Sequence, residues 1–322
     1  MSWQTLPMPN LKYGITVRLK AEEADFMLPP KKVDTTPFTV SQELPTSTLP
    51  KTTPQDRLEA AHQEFLGKTL TITVPENFTN EKPIIITNHA NGASFDHIHI
   101  VAQPHSKTVF VEESGANPRF TKVTIEVKEN ADITFGSKHQ GGVLWAKREA
   151  TVHKGGNMRW CDVIKDTELA YSRTKTILQG DHSQTSYAGV FVGEHGQYDI
   201  DAVNEHVGKN TKSDLVSKGV LEGTAKAINQ GTITIQENAS GSDGYQKEDI
   251  LLLSEGAEAD AIPKLFIRNH DVKCSHGASV APVNPQHLYY LQSRGVGERK
   301  AKDLIIQGFL NTALQTMPKE LQ

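Results

Sequence analysis

At 322 residues the chain is long enough to bury a sizeable core in roughly one to three domains. Its 34 Lys and Arg against 38 Asp and Glu leave a formal charge of −4, which excludes both the basic footprint of a nucleic-acid binder and an acidic tail. The two cysteines, Cys161 and Cys274, are too few for a disulfide framework. Met1 to Ile15 lacks the basic start and apolar stretch of a signal peptide, and apolar runs such as Ile250–Leu253 fall far short of the roughly 20 residues of a membrane-spanning helix. The expectation is a soluble, cytoplasmic protein with free thiols that binds neither nucleic acid nor membrane.

Up to about Thr53 the chain is rich in Pro and Thr, as in Pro29-Pro30, Thr35-Thr36-Pro37 and Thr52-Thr53-Pro54, a composition that favours extended, poorly packed chain. Thr53 as N-cap and Pro54 at the first helical position then predict a short helix. Leu58, Ala61, Phe65 and Leu66 share one face of it, and Gly67 ends it. From Thr69 to about Val283 the signal is short alternating runs such as Thr69–Val74, Lys122–Val127 and Thr232–Ile235, whose β-branched residues argue for strands.

A degenerate turn motif punctuates these strands: an apolar residue followed by polar and small ones. It occurs at Val127–Ala131, Val152–Gly156, Val192–Gly196, Leu221–Ala225, Ile235–Ala239 and Leu253–Ala257. Uneven spacing of the copies suits a strand solenoid with loop insertions, while an antiparallel sandwich would also need such turns. The period then changes. Asn284 and Pro285 start a helix that closes at Gly295, with His287, Leu288, Tyr290 and Leu291 on one face. A second helix runs from about Glu298 to Leu310, with Ala301, Leu304, Ile305, Gly308 and Phe309 as its apolar stripe.

The densest reactive segment is Asn269–Gly277, which contains His270, Cys274 and His276. In an extended strand Cys274 and His276 point the same way, with His270 on that face too. A thiolate and an imidazole there can hold iron or zinc, yet they supply two ligands where most sites need three or four, so a complete metal site would borrow from another chain. The bland alternative is a buried cysteine beside a surface histidine. Cys161, after Arg159-Trp160, reads as a structural thiol, and His153, His182, His195 and His206 as turn and surface residues. Phosphate-loop, dinucleotide-fold, zinc-protease and hydrolase-elbow motifs are absent. Asp199 and Asp201 are a carboxylate pair of the kind a strand-solenoid carbohydrate enzyme would use.

Four stretches carry a resemblance: Lys212–Leu221, Leu251–Ser254, Asp271-Val272-Lys273-Cys274-Ser275-His276-Gly277-Ala278 and Leu288–Gly295. Collinear over roughly 175–310, they resemble the SufB/SufD family of iron–sulfur cluster assembly proteins, and the Asp-Val-Lys-Cys-Ser-His-Gly block is the most specific. The resemblance implies a mainly β fold, a right-handed parallel β-helix forming a single solenoid. The changes of composition and period divide the chain into a Pro/Thr-rich arm and short helix (1–68), a β-helix core (69–283) and a C-terminal helical region (284–322), and the first 70 residues carry little of the resemblance. The resemblance also implies a non-enzymatic scaffold subunit that pairs with a SufB-like chain through the β-helix edge. A SufC-like ATPase would dock on the C-terminal helices, around Tyr289, Tyr290, Leu291, Arg294, Gly295, Leu304, Ile305 and Phe309.

The Cys-Ser-His block looks SufD-like. It assigns His276, and secondarily Cys274, to transient iron or cluster handling at the interface, with no cofactor held by the isolated chain. A homodimer using the same seam is the alternative, and a β-helix carbohydrate enzyme is a more distant one. Gln246-Lys247-Glu248 stands where SufB carries a Gln-Cys-Asp cysteine, so this chain lacks that thiol. Phe266 stands where Glu is common in the family, and Ser279 where Thr is usual.

Overall fold

Every alternating run from Lys68 onward becomes a strand, and the strands alternate between two sheets. The computed structural model describes residues 32–33, 39–43, 57–66, 68–80, 82–87, 93–115 and 117–322. One sheet is built from β4 (Ile84–Thr87), β6 (Lys107–Ser114), β8 (Asp132–Gln140), β10 (Asn157–Lys165), β12 (Gln184–Gly193), β14 (Lys212–Leu221), β16 (Asp243–Leu252) and β18 (Lys273–Pro282). The other contains β3 (Lys68–Val74), β5 (Ser94–Ala102), β7 (Arg119–Val127), β9 (Val143–Val152), β11 (Leu169–Leu178), β13 (Gln197–His206), β15 (Lys226–Ile235) and β17 (Glu258–Ile267). All of these pair in parallel with the next strand but one. Each coil of the resulting β-solenoid therefore contributes one strand to each sheet. Stacked neighbours are 25 residues apart at Asp132 and Asn157 and 32 apart at Lys226 and Glu258.

The Pro/Thr-rich arm contributes two short strands where the sequence suggested loose chain. β1 (Lys32–Val33) and β2 (Thr39–Glu43) add antiparallel to β4 and β3. Helix α1 (Arg57–Phe65) follows, while its expected cap Thr53, Pro54 and the closing Gly67 lie outside the described residues. Imidazole–indole contact between His62 and Trp145, with ring centroids 5.2 Å apart, and a His62 Nε2 hydrogen bond to Asp96 O at 2.8 Å hold α1 on the outer face of β5 and β9.

The motif that punctuates the strands is two motifs. Copies at 127–131, 152–156 and 235–239 turn the chain out of the second sheet, and those at 192–196, 221–225 and 253–257 turn it back, which is why their spacing is uneven. At the first corner, residues with positive φ stack coil upon coil: Asn130 (54°), Gly155 (64°), His182 (59°), Asn210 (54°) and Gly241 (71°). Each N–H donates to a carbonyl of the following coil, as from Asn130 to Lys154 O at 2.9 Å and from Gly155 to Asp181 O at 2.9 Å. Glycine and asparagine tolerate this left-handed backbone, so the turn composition serves a structural need.

Between the sheets, inward side chains form register columns. Phe110, Phe135, Trp160, Tyr187 and Leu215 occupy one, each 3 % exposed or less. Burying each large apolar side chain contributes roughly 1.5–3 kcal/mol. The adjacent column, Glu112, Ser137, Asp162, Gly189 and Ser217, is largely polar and meets arginines that reach it from the facing sheet. Arg119 pairs with Asp96 and Glu112; Arg148 pairs with Asp162 at 2.9 Å and donates to Ser137 at 2.8 Å and Ser172 at 3.1 Å.

Helix α2 (Pro285–Ser293) begins as the sequence suggests, with Asn284 accepting from Gln286 N at 2.9 Å. Helix α3 (Glu298–Leu314) runs one turn beyond the expected end and lies against β12 and β14. Its buried stripe is Ala301, Leu310 and Ala313, so the predicted face is rotated: Leu304 and Gly308 face solvent. The terminal Lys319–Leu321 turn follows α3 along the same sheet, and Leu321 fills the notch left by Gly136, where a Cβ would lie 2.5 Å from Leu321 Cδ1. Cys161 is buried under this cover with Leu310, Ala313, Met317 and Leu321; burial pushes its thiol up to about 12, a structural cysteine as read.

Candidate functional site

The last coil, β17 and β18, has no coil stacked upon it, and both strands are the edges of their sheets among the described residues. Side chains that would be core elsewhere are open here. Ile235 is 0 % and Ile250 1 % exposed, whereas their register partners in the last coil, Ile267 and Val280, are 44 % and 38 % exposed. Pro263, which offers no N–H to a ladder, sits in the β17 edge, a position where proline is tolerated.

Strand β18 brings Cys274 and His276 onto one face, in register with Gly244 and Gln246 of β16. Gln246 and Gly244 point into the solenoid, so both candidate ligands point into its open end. The column that is aromatic and aliphatic for five coils turns polar in its last two members, Gln246 and His276. Cys274 is half-buried against Ile233, Ile235 and Leu265, and desolvation, followed by the Asp243 charge, raises its thiol above the ordinary range. His276 is exposed. His270 does not join them, because the chain bends at 270–271, where Asn269 Oδ1 accepts from Asp271 N at 2.8 Å, and strand alternation begins only at Lys273. Among the described residues, no group of three or more His, Cys, Asp and Glu is placed to hold a metal ion.

Outward-facing residues tie this coil to the helices. Asp249 accepts from Lys218 Nζ at 3.2 Å and from Ser279 Oγ at 2.7 Å, and Lys218 Nζ lies 4.2 Å from the centroid of the Phe309 ring on α3. Those partners hold the Asp249 carboxyl below its ordinary value against the opposing desolvation. Sequence reading missed this link, since Lys247-Glu248-Asp249 looks like a solvated charge run. Of the predicted docking residues, Tyr289, Tyr290 and Leu304 are 74 %, 57 % and 42 % exposed, and Arg294 stacks 5.3 Å from the Tyr290 ring centroid. Gly295 takes φ 83° to turn the hairpin, Leu291 and Ile305 are half-buried, and Phe309 is spent on the solenoid.

Other candidates dissolve. Asp199 and Asp201 share Arg173, at 2.6 and 3.8 Å, and its guanidinium lies 4.0 Å from the Tyr171 ring centroid, so the pair is an ion-pair ladder on an outer sheet face. Desolvation nevertheless raises the Asp201 carboxyl. His206 is not a surface residue: it is 0 % exposed, with Nδ1 2.7 Å from Thr211 Oγ1 and Nε2 2.8 Å from Ser213 Oγ. No helix among the described residues is long and apolar enough to cross a membrane.

Fold and site together define a parallel β-solenoid with one unstacked end that carries a thiol and an imidazole, and with a helical hairpin docked on its flank. The SUF system FeS cluster assembly, SufBD core domain matches residues 85–309. The iron–sulfur cluster assembly protein SufD of Bacillus subtilis (strain 168) is 30% identical over 280 residues, covering 83% of this chain and 64% of that protein. The SufBD family protein ycf24 of Trieres chinensis is 26% identical over 252 residues, 72% of this chain and 52% of that one. A SufBD family protein of Staphylococcus haemolyticus (strain JCSC1435) is 27% identical over 267 residues, 77% and 56% of the two chains. The chain belongs to the SufBD family of the SUF iron–sulfur cluster assembly system, and within it is SufD-like. It spans less than two thirds of the length of these relatives.

Proposed function

We propose that this chain is a non-enzymatic subunit that completes an iron–sulfur assembly site at a seam with a SufB-like partner. The observation that carries the reading is the open last coil, which presents inward-type side chains to a partner instead of to another coil of its own. A second solenoid stacked there would cover Ile267 and Val280 and add ligands to Cys274 and His276. Nascent iron or cluster is cargo at that seam, with His276 the principal ligand and Cys274 the secondary one. The exposed Tyr289, Tyr290 and Leu304 surface suits a SufC-like ATPase, whose motion would reach the last coil through Phe309, Lys218 and Asp249. This reading places the protein in the cytosol with its partners.

The test is co-purification with SufB-like and SufC-like chains. His276→Ala is expected to lower cluster yield several-fold while leaving the complex intact, and undiminished yield overturns the site assignment. Light scattering of the chain with and without the SufB-like partner separates a heterodimer from a homodimer across the same seam.

A further inference from the structure

One coil inward from the open end, strand β16 buries two polar side chains that the seam reading does not use. Gln246 and Glu248 are each 0 % exposed and face the interior. The Gln246 Nε2 group donates to Gly231 O at 3.3 Å and to Lys264 O at 3.4 Å. Two carbonyls can be served only by the amide nitrogen, so Oε1 must face the other way, and it has no hydrogen-bond partner among the described residues. Neither oxygen of Glu248 has a hydrogen-bond partner among the other described residues. The free oxygens converge: a Cβ on Gly231 would collide with Glu248 Oε1 and lie 3.3 Å from Gln246 Oε1. Gly231 thus leaves room for them at one point of the interior.

Among the described residues no basic side chain answers this carboxyl. Lys218 and Lys247 both reach Asp249, and Lys264 reaches Gln230, all on outer faces. The inward side is closed by Ser217, in register with Glu248, whose hydroxyl donates to Asn229 Oδ1 at 3.0 Å. On the outward side stand the register partners Ala278 and His276. Buried polar atoms in native interiors are almost always satisfied, and the two unanswered oxygens that meet beside Gly231 call for a positive counterpart.

We propose that Glu248 and Gln246 form an inner binding site for a hard divalent cation, one coil below the open end of the solenoid. One carboxylate and one amide oxygen, completed by water, are the donors that Mg²⁺ and Mn²⁺ prefer, and they offer nothing to a thiophilic metal. The site requires neither Cys274 nor His276, so it stands apart from the seam reading.

The test titrates the full chain with Mn²⁺ in metal-free buffer, reading free Mn²⁺ by its paramagnetic resonance signal. It compares the unmodified chain, Glu248→Gln and the double variant Cys274→Ser/His276→Ala, with circular dichroism to confirm that all three are folded. Glu248→Gln keeps the side-chain shape and removes the charge, so loss of binding cannot be laid to unfolding. The expected result is one Mn²⁺ per chain, bound at least tenfold more weakly by Glu248→Gln and equally well by the double variant. Equal affinity in Glu248→Gln, no binding by the unmodified chain, or binding lost in the double variant and kept in Glu248→Gln would each overturn the inference. Poor cluster yield from His276→Ala with Mn²⁺ binding retained leaves both readings in place, and normal yield with binding retained removes only the seam reading.

Discussion

Acid should destabilise this solenoid through two histidines locked into its interior. His206 is held between Thr211 and Ser213, and His139 Nδ1 lies 2.7 Å from Ser114 Oγ; both are nearly inaccessible to water. Desolvation lowers each imidazole to about 4, helped at His139 by the nearby Arg119 and Arg148 charges and opposed at His206 by Asp243. The folded-state value lies below the unfolded one, so the unfolded chain binds more protons between about pH 6.5 and pH 4. Stability is therefore intact above pH 6.5 and falls as the pH drops toward 4. Linkage gives a loss of about 2.5 kcal/mol per histidine at pH 4.5. Urea unfolding at pH 7 and pH 4.5, followed by circular dichroism, measures the drop directly. His206→Gln lacks the titrating group, and its stability should fall by about 2.5 kcal/mol less than that of the unmodified chain across the same interval. Identical pH dependence of the two proteins would refute the buried-neutral assignment.

Two further substitutions probe the packing. Asp162→Ala leaves the Arg148 guanidinium buried without its carboxylate and should cost about 3–5 kcal/mol in urea unfolding, whereas the double replacement Arg148→Leu/Asp162→Leu should recover most of that loss. Burial already raises the Asp162 carboxyl despite the Arg148 charge, which is why the pair as a whole contributes little beyond polar satisfaction. Leu321→Ala empties the Gly136 notch and should cost about 2–4 kcal/mol, read as a lower thermal midpoint and faster proteolysis of the C-terminal turn.

Much of the architecture was legible because alternation and turn chemistry are local. Thr69–Val74 and Thr232–Ile235 read as strands from their β-branched residues, and Asn284-Pro285 marked a helix start that the structure reproduces. Coil spacing was obscured by a symmetry that single-chain reading cannot resolve: both corners favour the same small and polar residues, so two turn series merged into one irregular repeat. The stripe on α3 was misplaced because Leu304 and Ile306 compete as apolar neighbours, and only the sheet beneath decides between them. At the site, Cys274 and His276 were visible by residue type. Gln246 and Glu248 were noticed only for the cysteine missing between them, and their burial was hidden because a strand whose inward members are polar lacks apolar alternation. Long-range pairs such as Arg119 with Asp96 or Lys218 with Asp249 leave no local trace, for their geometry exists only once coils stack.

The unstacked coil also has a dynamic consequence. In a linear stack coupled through nearest neighbours, an internal coil is restrained from both sides and a terminal coil from one. The segment bearing Cys274 and His276 is therefore among the first parts of the solenoid to open and the last to close. A chain that seats on it adds the second neighbour and raises the free energy of that opening. Under the proposed function, association and local ordering of this coil would be one thermodynamic event.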